Sequence, residues 1–316
     1  MTDLAGATAR PFILVSEVGP RDGLQSLDVI MPTSAKKAWI AATAAAGIRE
    51  IEVGSFVPAS ILPQLADTAE LVAFARTVPG LTVAVLVPNL RGAEAAIAAG
   101  AHKITLPVSV SASHSMANVR RTPGQMIEQA REIACAIADL PVERRPVFEG
   151  ALSTAFGCSI EGTVDPGTVL ALAEALMQVG CDEVCLSDTA GYANPAQVHS
   201  LVKATRRTVG AAACSAIHLH NTRGLGLANA LAALDEGITT LDSSLGGIGG
   251  CPFAPGASGN IVTEDLVFML NAMGYETGID LDRLLSLRDI LREALPETPL
   301  YGFTPEAGLP LGHRPT

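Results

Sequence analysis

Basic charge is scarce in this chain: Lys and Arg number 21 against 32 Asp and Glu, a formal net charge of −11 over 316 residues. Such an acid surplus repels phosphate backbones, which argues against a general nucleic-acid binder. It leaves anionic ligands only a local basic or helix-N-terminal site. Long apolar runs are missing too, and no stretch approaches the roughly 18 residues that a membrane span needs. Residues 1–12 carry Asp3 early, only Arg10 as a base and no apolar segment, so neither a membrane anchor nor a secretory signal is expected. Cysteine amounts to Cys135, Cys158, Cys181, Cys185, Cys214 and Cys251, scattered and mostly within apolar runs. That pattern argues against a disulfide framework and fits reduced thiols in a cytoplasmic protein. Cys181 and Cys185 stand four apart, but no second pair completes a zinc site. No G-x-G-x-x-G follows a strand-like run, which weakens the case for a doubly wound dinucleotide-binding sheet. Disorder is excluded from the other side, because 48% of residues are hydrophobic and 17% charged, enough for a sizeable core.

What is present is a repeat. An alanine-rich or amphipathic stretch ends in Gly, and a short apolar run follows. Ala44-Ala45-Ala46-Gly47 leads to Ile51-Glu52-Val53, and Ala98-Ala99-Gly100 to Lys103-Ile104-Thr105-Leu106. Gln178-Val179-Gly180 leads to Glu183-Val184-Cys185-Leu186, and Asp235-Glu236-Gly237 to Thr240-Leu241-Asp242. Each Gly stands where a helix ends in the left-handed conformation, and each following run suits a strand buried on both faces. Further strands are predicted at 13–18, 82–87, 146–152 and 213–219. Helices are predicted at 34–46, 65–76, 93–99, 123–138, 166–179, 195–208, 225–234 and 261–273. Strand-then-helix alternation implies a parallel sheet of the α/β class, and eight units in this length imply a closed (β/α)8 TIM barrel. The expected division is a catalytic barrel over 12–275 and a C-terminal helix and tail over 276–316, with the helix near 280–294.

In such a barrel chemistry lies just beyond the strand ends. Strand one is followed by Gly19-Pro20-Arg21-Asp22-Gly23-Leu24-Gln25, which reads either as a turn or as an active-site loop. Strand seven ends in His218-Leu219-His220-Asn221, and strand alternation puts both imidazoles on one face. That pair is half of a metal site, and Asp22 on a nearby strand offers a carboxylate. Strand eight is followed by glycines at 246, 247, 249, 250, 256 and 259 around Cys251; such a loop approaches a ligand closely, and Cys251 is a reactive-thiol candidate. Asn260 either caps the next helix or offers an amide oxygen to a metal. Glu52 lies inside an apolar strand and needs a partner, for which Arg21 is the obvious choice. Asp188 reads equally as a helix cap or as a carboxylate that orients the site. Asn89, the polar stretch 109–115 and Ser153-Thr154 are lesser candidates for the mouth. His102, His114, His199 and His313 read as surface or packing residues.

The Gly19–Gln25 segment, the His-x-His at 218 and 220, and the loop from Gly249-Gly250-Cys251-Pro252 to Gly256-Ala257-Ser258-Gly259-Asn260 together resemble the 3-hydroxy-3-methylglutaryl-CoA lyase family, metal-dependent lyase and Claisen-condensing barrels, over about residues 15–278. The resemblance implies retro-Claisen cleavage of 3-hydroxy-3-methylglutaryl-CoA to acetyl-CoA and acetoacetate. It implies Mg²⁺ or Mn²⁺ held by Asp22, His218, His220 and Asn260. Arg21 would stabilise the enolate oxygen, Cys251 would protonate the enolate, Glu52 would hold Arg21 and Asp188 would orient the site. Asp22 or a metal-bound water would take the hydroxyl proton. An acyl-CoA partner, a homo-oligomer (a dimer first) and a cytoplasmic location are expected; nucleic-acid and membrane partners are not. Asn221-Thr222-Arg223 after the second His, 149–154 in strand five and Val53-Gly54 depart from the better-known lyases. These departures raise a related substrate, such as citramalyl-CoA yielding pyruvate, as the alternative. A Claisen-condensing synthase and a ligand-binding barrel are the other rivals; the first usually carries a long C-terminal regulatory domain, for which about forty residues are too few.

Overall fold

The computed structural model describes residues 11–249 and 259–312. Eight parallel strands close into a barrel in sequence order: β1 (Leu14–Glu17), β2 (Glu50–Ser55), β3 (Thr82–Leu86), β4 (Lys103–Ser109), β5 (Val147–Ser153), β6 (Glu183–Asp188), β7 (Ala216–Leu219) and β8 (Thr240–Ser243). Closure is made by β1 against β8, Leu14 opposite Thr240 through Glu17 opposite Ser243. The strands are apolar where they meet the outer helices, so their burial on both faces matches their near-continuous hydrophobic runs. β2 carries a register shift between Glu52 and Gly54 against β3, a bulge that re-aims the residues at its end.

The helix ends follow the repeat read from the sequence. Gly100 and Gly180 cap their helices in the left-handed region, at φ 85° and 108°. Starts are capped by side chains: Thr122 and Asn194 each form a reciprocal capping box with the Gln three residues on. Two elements differ from expectation. The polar stretch after β4 is largely a helix, Ala112–Val119, because Ser111 accepts from the His114 N–H at 3.1 Å and starts a turn. The C-terminal helix breaks at Leu287 into Leu281–Ser286 and Arg288–Ala294.

That extension packs onto the barrel instead of forming a separate body. Leu281, Leu284, Leu291 and Leu295 belong to the same apolar cluster as Ile13, Trp39 and Ile51. The Ile13 N–H donates to Glu276 O at 2.9 Å and the Asp280 N–H to Ala46 O at 2.8 Å. Among the described residues no helix is long and apolar enough to cross a membrane.

Candidate active site

The site starts at the end of β1, where residues Gly19–Gly23 wind into a single wide helical turn. Glu17 organises it. Its fully buried carboxylate accepts from the Gly19 N–H at 3.0 Å, from Leu245 N–H at 3.0 Å and from Thr263 Oγ1 at 2.8 Å. The turn therefore touches both the start of the loop after β8 and the helix that follows it. Gly19 is required by close approach: a Cβ there would press into Glu17 and come within 2.7 Å of the Trp39 ring. The turn carries Arg21 and Asp22 into the barrel mouth, where both are buried.

Arg21 is held from two sides. Its Nε donates to Glu52 Oε2 and its Nη1 to Asp22 Oδ1, each at 2.5 Å. The partner expected for the in-strand carboxylate of Glu52 is thus present. Asp22 also accepts from Gln25 Nε2 and Asn260 Nδ2, both at 2.8 Å. Burial would raise the Asp22 pKa, but the Arg21 guanidinium and the two histidines outweigh it and hold the carboxyl well below its usual range. Burial raises that of Glu52, with Arg21 opposing.

His218 and His220 face the same side, ring centres 5.0 Å apart. His218 Nδ1 lies 3.0 Å from Asp242 Oδ2 on β8, while His220 Nε2 lies 3.7 Å from Asp22 Oδ2, beyond hydrogen-bond reach. One ligand atom from each of Asp22, His218 and His220 falls within 4.8 Å of the others. Both nitrogens of His220 and Oδ1 of Asn260 are buried without a hydrogen-bond partner. Leaving such atoms unmet costs free energy, and here they surround an anionic carboxylate. A divalent cation with mixed nitrogen and oxygen ligands fits that arrangement. Asn260 does not cap the following helix, whose N-cap is Val262. Its amide N–H bonds instead go to Asp22 and Ile248 O, which leaves the carbonyl oxygen free.

Other sequence candidates fall out variously. Asp188 accepts from the Tyr192 and Ala193 N–H groups at 2.8 and 3.1 Å, so its carboxylate shapes the turn after β6. Cys251 and His313 lie outside the described residues. Ser153 and Thr154 line the mouth, and Thr154 takes φ 60°, a strained value for a β-branched residue. Asn89 lines it too while capping its own helix through Gly92 N–H. Cys181 and Cys185 are buried thiols pushed up in pKa by burial, Cys181 to about 12, which suits packing and not a reactive or ligating role.

Two features escaped the sequence reading. Asp242 orients His218, and the signal was available: a carboxylate inside an apolar strand, like Glu52. His114, read as surface or packing, lines the cavity with its Nδ1 2.8 Å from Ser109 Oγ. Arg21, Asp22, Glu52, His114, His218, His220 and Asp242 open onto one cavity of about 1030 Å³, which also reaches Arg120 and Arg121 at its rim.

The comparisons with known proteins agree with this architecture. Residues 13–291 match the HMGL-like family. A mitochondrial hydroxymethylglutaryl-CoA lyase of Arabidopsis thaliana is 39% identical over 284 residues, 90% of this chain and 60% of that protein's length. A cytoplasmic 3-hydroxy-3-methylglutaryl-CoA lyase of Rattus norvegicus is 38% identical over 287 residues, 91% of this chain and 82% of that protein. The solved structure of an HMG-CoA lyase from Acinetobacter baumannii, in complex with coenzyme A and 3-methylmalate, superposes with a TM-score of 0.88 at 37% identity, covering 100% of both chains. A family match over residues 13–291, with relatives about 38% identical over nine-tenths of this chain, establishes that this chain belongs to the HMGL-like family.

Proposed function

We propose that the chain is a metal-dependent carbon–carbon lyase that cleaves 3-hydroxy-3-methylglutaryl-CoA to acetyl-CoA and acetoacetate. The observation that carries this reading is the ring of Asp22, His218, His220 and Asn260, with unmet buried ligand atoms, beside the doubly held Arg21. When bound there, a divalent cation supplies Lewis-acid polarisation of substrate oxygens. The oxygen donors of Asp22 and Asn260, together with substrate oxygens, favour Mg²⁺ or Mn²⁺.

The reaction balances as a retro-Claisen step. A base removes the C3 hydroxyl proton and the C3–O bond becomes a carbonyl. The C2–C3 electron pair passes into the thioester as an enolate, and a proton delivered to C2 completes acetyl-CoA. Arg21 is the group for the enolate oxygen: its guanidinium is fixed in advance by Glu52 and Asp22, so it need not reorganise as charge develops. Asp22, with its depressed pKa, suits an anionic ligand better than a proton acceptor. Cys251 keeps the role of proton donor that the family resemblance gives it. Asp188, by holding the turn at Tyr192–Ala193, is a positioning residue. Arg120 and Arg121, at the rim, are assigned to the phosphates of the acyl-CoA nucleotide. The described cysteines are all free, which supports a reducing compartment, the cytoplasm first. A homodimer is proposed with it, tested by light scattering.

The deciding experiment measures acetyl-CoA release from 3-hydroxy-3-methylglutaryl-CoA with Mg²⁺ or Mn²⁺, before and after EDTA. Cleavage that EDTA abolishes and added metal restores is expected. Arg21→Met should then lower kcat by about 10²–10³ with little change in thioester binding. Absence of release from metal-loaded protein, or release indifferent to chelation, would overturn the reading.

A further inference from the structure

Below the metal-ligand ring the barrel interior is not packed as such interiors usually are. A (β/α)8 core is normally filled by layers of bulky branched side chains. Here the cavity that holds Asp22, His218 and His220 continues past Ala84, Thr105, Ala151 and Cys185. These are small residues on four successive strands. Register pairs Ala151 with Cys185, Thr105 with Glu149 and Ala84 with Lys103, while Ser187 pairs with His218. The shaft ends on charge. Lys103 Nζ lies 2.8 Å from Glu149 Oε2, 2.6 Å from Glu183 Oε1 and 3.9 Å from Glu50 Oε1. Thr105 Oγ1 donates to the other oxygen of Glu149 at 3.0 Å. Asp242 lines the same cavity and bonds His218, so it joins the ligand ring to this floor. Retro-Claisen chemistry at the ring makes no use of Lys103, Glu50, Glu149 or Glu183.

We propose that this shaft is an extension of the acyl pocket, and that the enzyme cleaves 3-hydroxyacyl-CoA substrates whose C3 branch is larger than methyl and uncharged. The proposal rests on the lyase reading above. The thioester arm must leave by the mouth, because the nucleotide is too large for the interior. With C3 held at the ligand ring, a branch on C3 has the shaft beneath it. A methyl group would leave the space between Ala84, Ala151 and Cys185 without contacts, whereas a longer branch gains them. Charge selects the type of branch. Glu50, Glu149 and Glu183 share the single Lys103, so another carboxylate at this floor would meet net repulsion. A neutral alkyl or hydroxyalkyl branch meets none, and a hydroxyl could donate to Glu149 or Asp242.

The test compares kcat/KM of the metal-loaded enzyme for the 3-methyl substrate with that for its 3-ethyl, 3-propyl, 3-(2-hydroxyethyl) and 3-carboxymethyl analogues. The neutral branches are expected within about tenfold of methyl or above it, and carboxymethyl at least about a hundredfold below. In Ala151→Phe the propyl-to-methyl ratio should fall by at least about tenfold; Ala84→Leu makes the same comparison should Ala151→Phe not fold. Cleavage of the methyl substrate with every larger neutral branch a hundredfold worse would overturn the pocket proposal alone. Failure of all thioesters, methyl included, would overturn the lyase reading and this proposal with it.

Discussion

Asp242 shows how much of the site depends on one unassigned side chain. Its carboxylate fixes the His218 ring through Nδ1 at 3.0 Å, and carboxylates of this kind tune metal affinity through the ligands they orient. Asp242→Ala should weaken Mn²⁺ binding by about 10–100-fold, read by electron paramagnetic resonance titration of the free ion, with activity recovering at high metal. Unchanged affinity would show that His218 keeps its orientation by packing alone. The sequence exposed His218 and His220 because strand alternation is a strict rule, and Arg21 and Asp22 because adjacent charges after a strand are rare. Asp242 stayed hidden because its partner lies on a neighbouring strand 24 residues away. The lone His114 gave no local sign that a helix would turn it into the cavity.

At the scale of elements, the turn after β1 and the loop after β8 are tied together by Glu17. Burial, the largest influence, pushes this carboxyl up from an ordinary 4.5 to about 8, and the hydrogen bonds from Leu245 and Thr263 oppose it. The sign follows from proton counting. Between those two values the native state holds a proton that the unfolded chain has released, so stability falls as pH rises and levels off above about 8. The slope contributed is at most about 1.4 kcal/mol per pH unit. Glu17→Gln should abolish that contribution: urea unfolding at pH 5 to 9 should give a wild-type-minus-variant difference that declines to about pH 8 and is flat beyond. A difference independent of pH would mean that Glu17 is ionised in the native state. The repeat of helix, Gly and strand made these elements legible, because capping and burial are local. The helix Ala112–Val119 was not, since a Ser-, Ala- and His-rich stretch has no clear apolar period and only Ser111 marks its start.

The whole molecule includes its C-terminal extension. Arg288, buried, donates through Nη1 to Glu264 Oε1 at 2.6 Å and to Tyr301 O at 2.8 Å. Glu264 also accepts from the Gly246 N–H, and the Tyr301 N–H donates back to Gly246 O at 2.8 Å. The tail therefore braces the residues where the loop after β8 begins. Arg288→Met leaves Glu264 as an unpaired buried charge, a loss of about 3–5 kcal/mol that differential scanning calorimetry would register as a lower Tm. An unchanged Tm would mean that the extension adds nothing to the barrel's stability. We propose on these contacts that the described residues of 276–316 form one cooperative unit with those of the barrel over 12–275, and not an appendage.

The sequence by itself determined the closed barrel and marked Asp22, His218 and His220 as candidates, because helix caps, strand period and charged residues in apolar runs are local rules that the chain states outright; Asn260 as a ligand came only with the family resemblance. Tertiary structure alone decided that Glu50, Glu149 and Glu183 gather on Lys103, that Asn260 turns its amide toward Asp22 instead of capping a helix, and that the interior is an open, charged shaft. Those outcomes depend on distances between strands far apart in the chain. Side-chain volume and ion pairing across a closed barrel are settled only when all eight strands are in register.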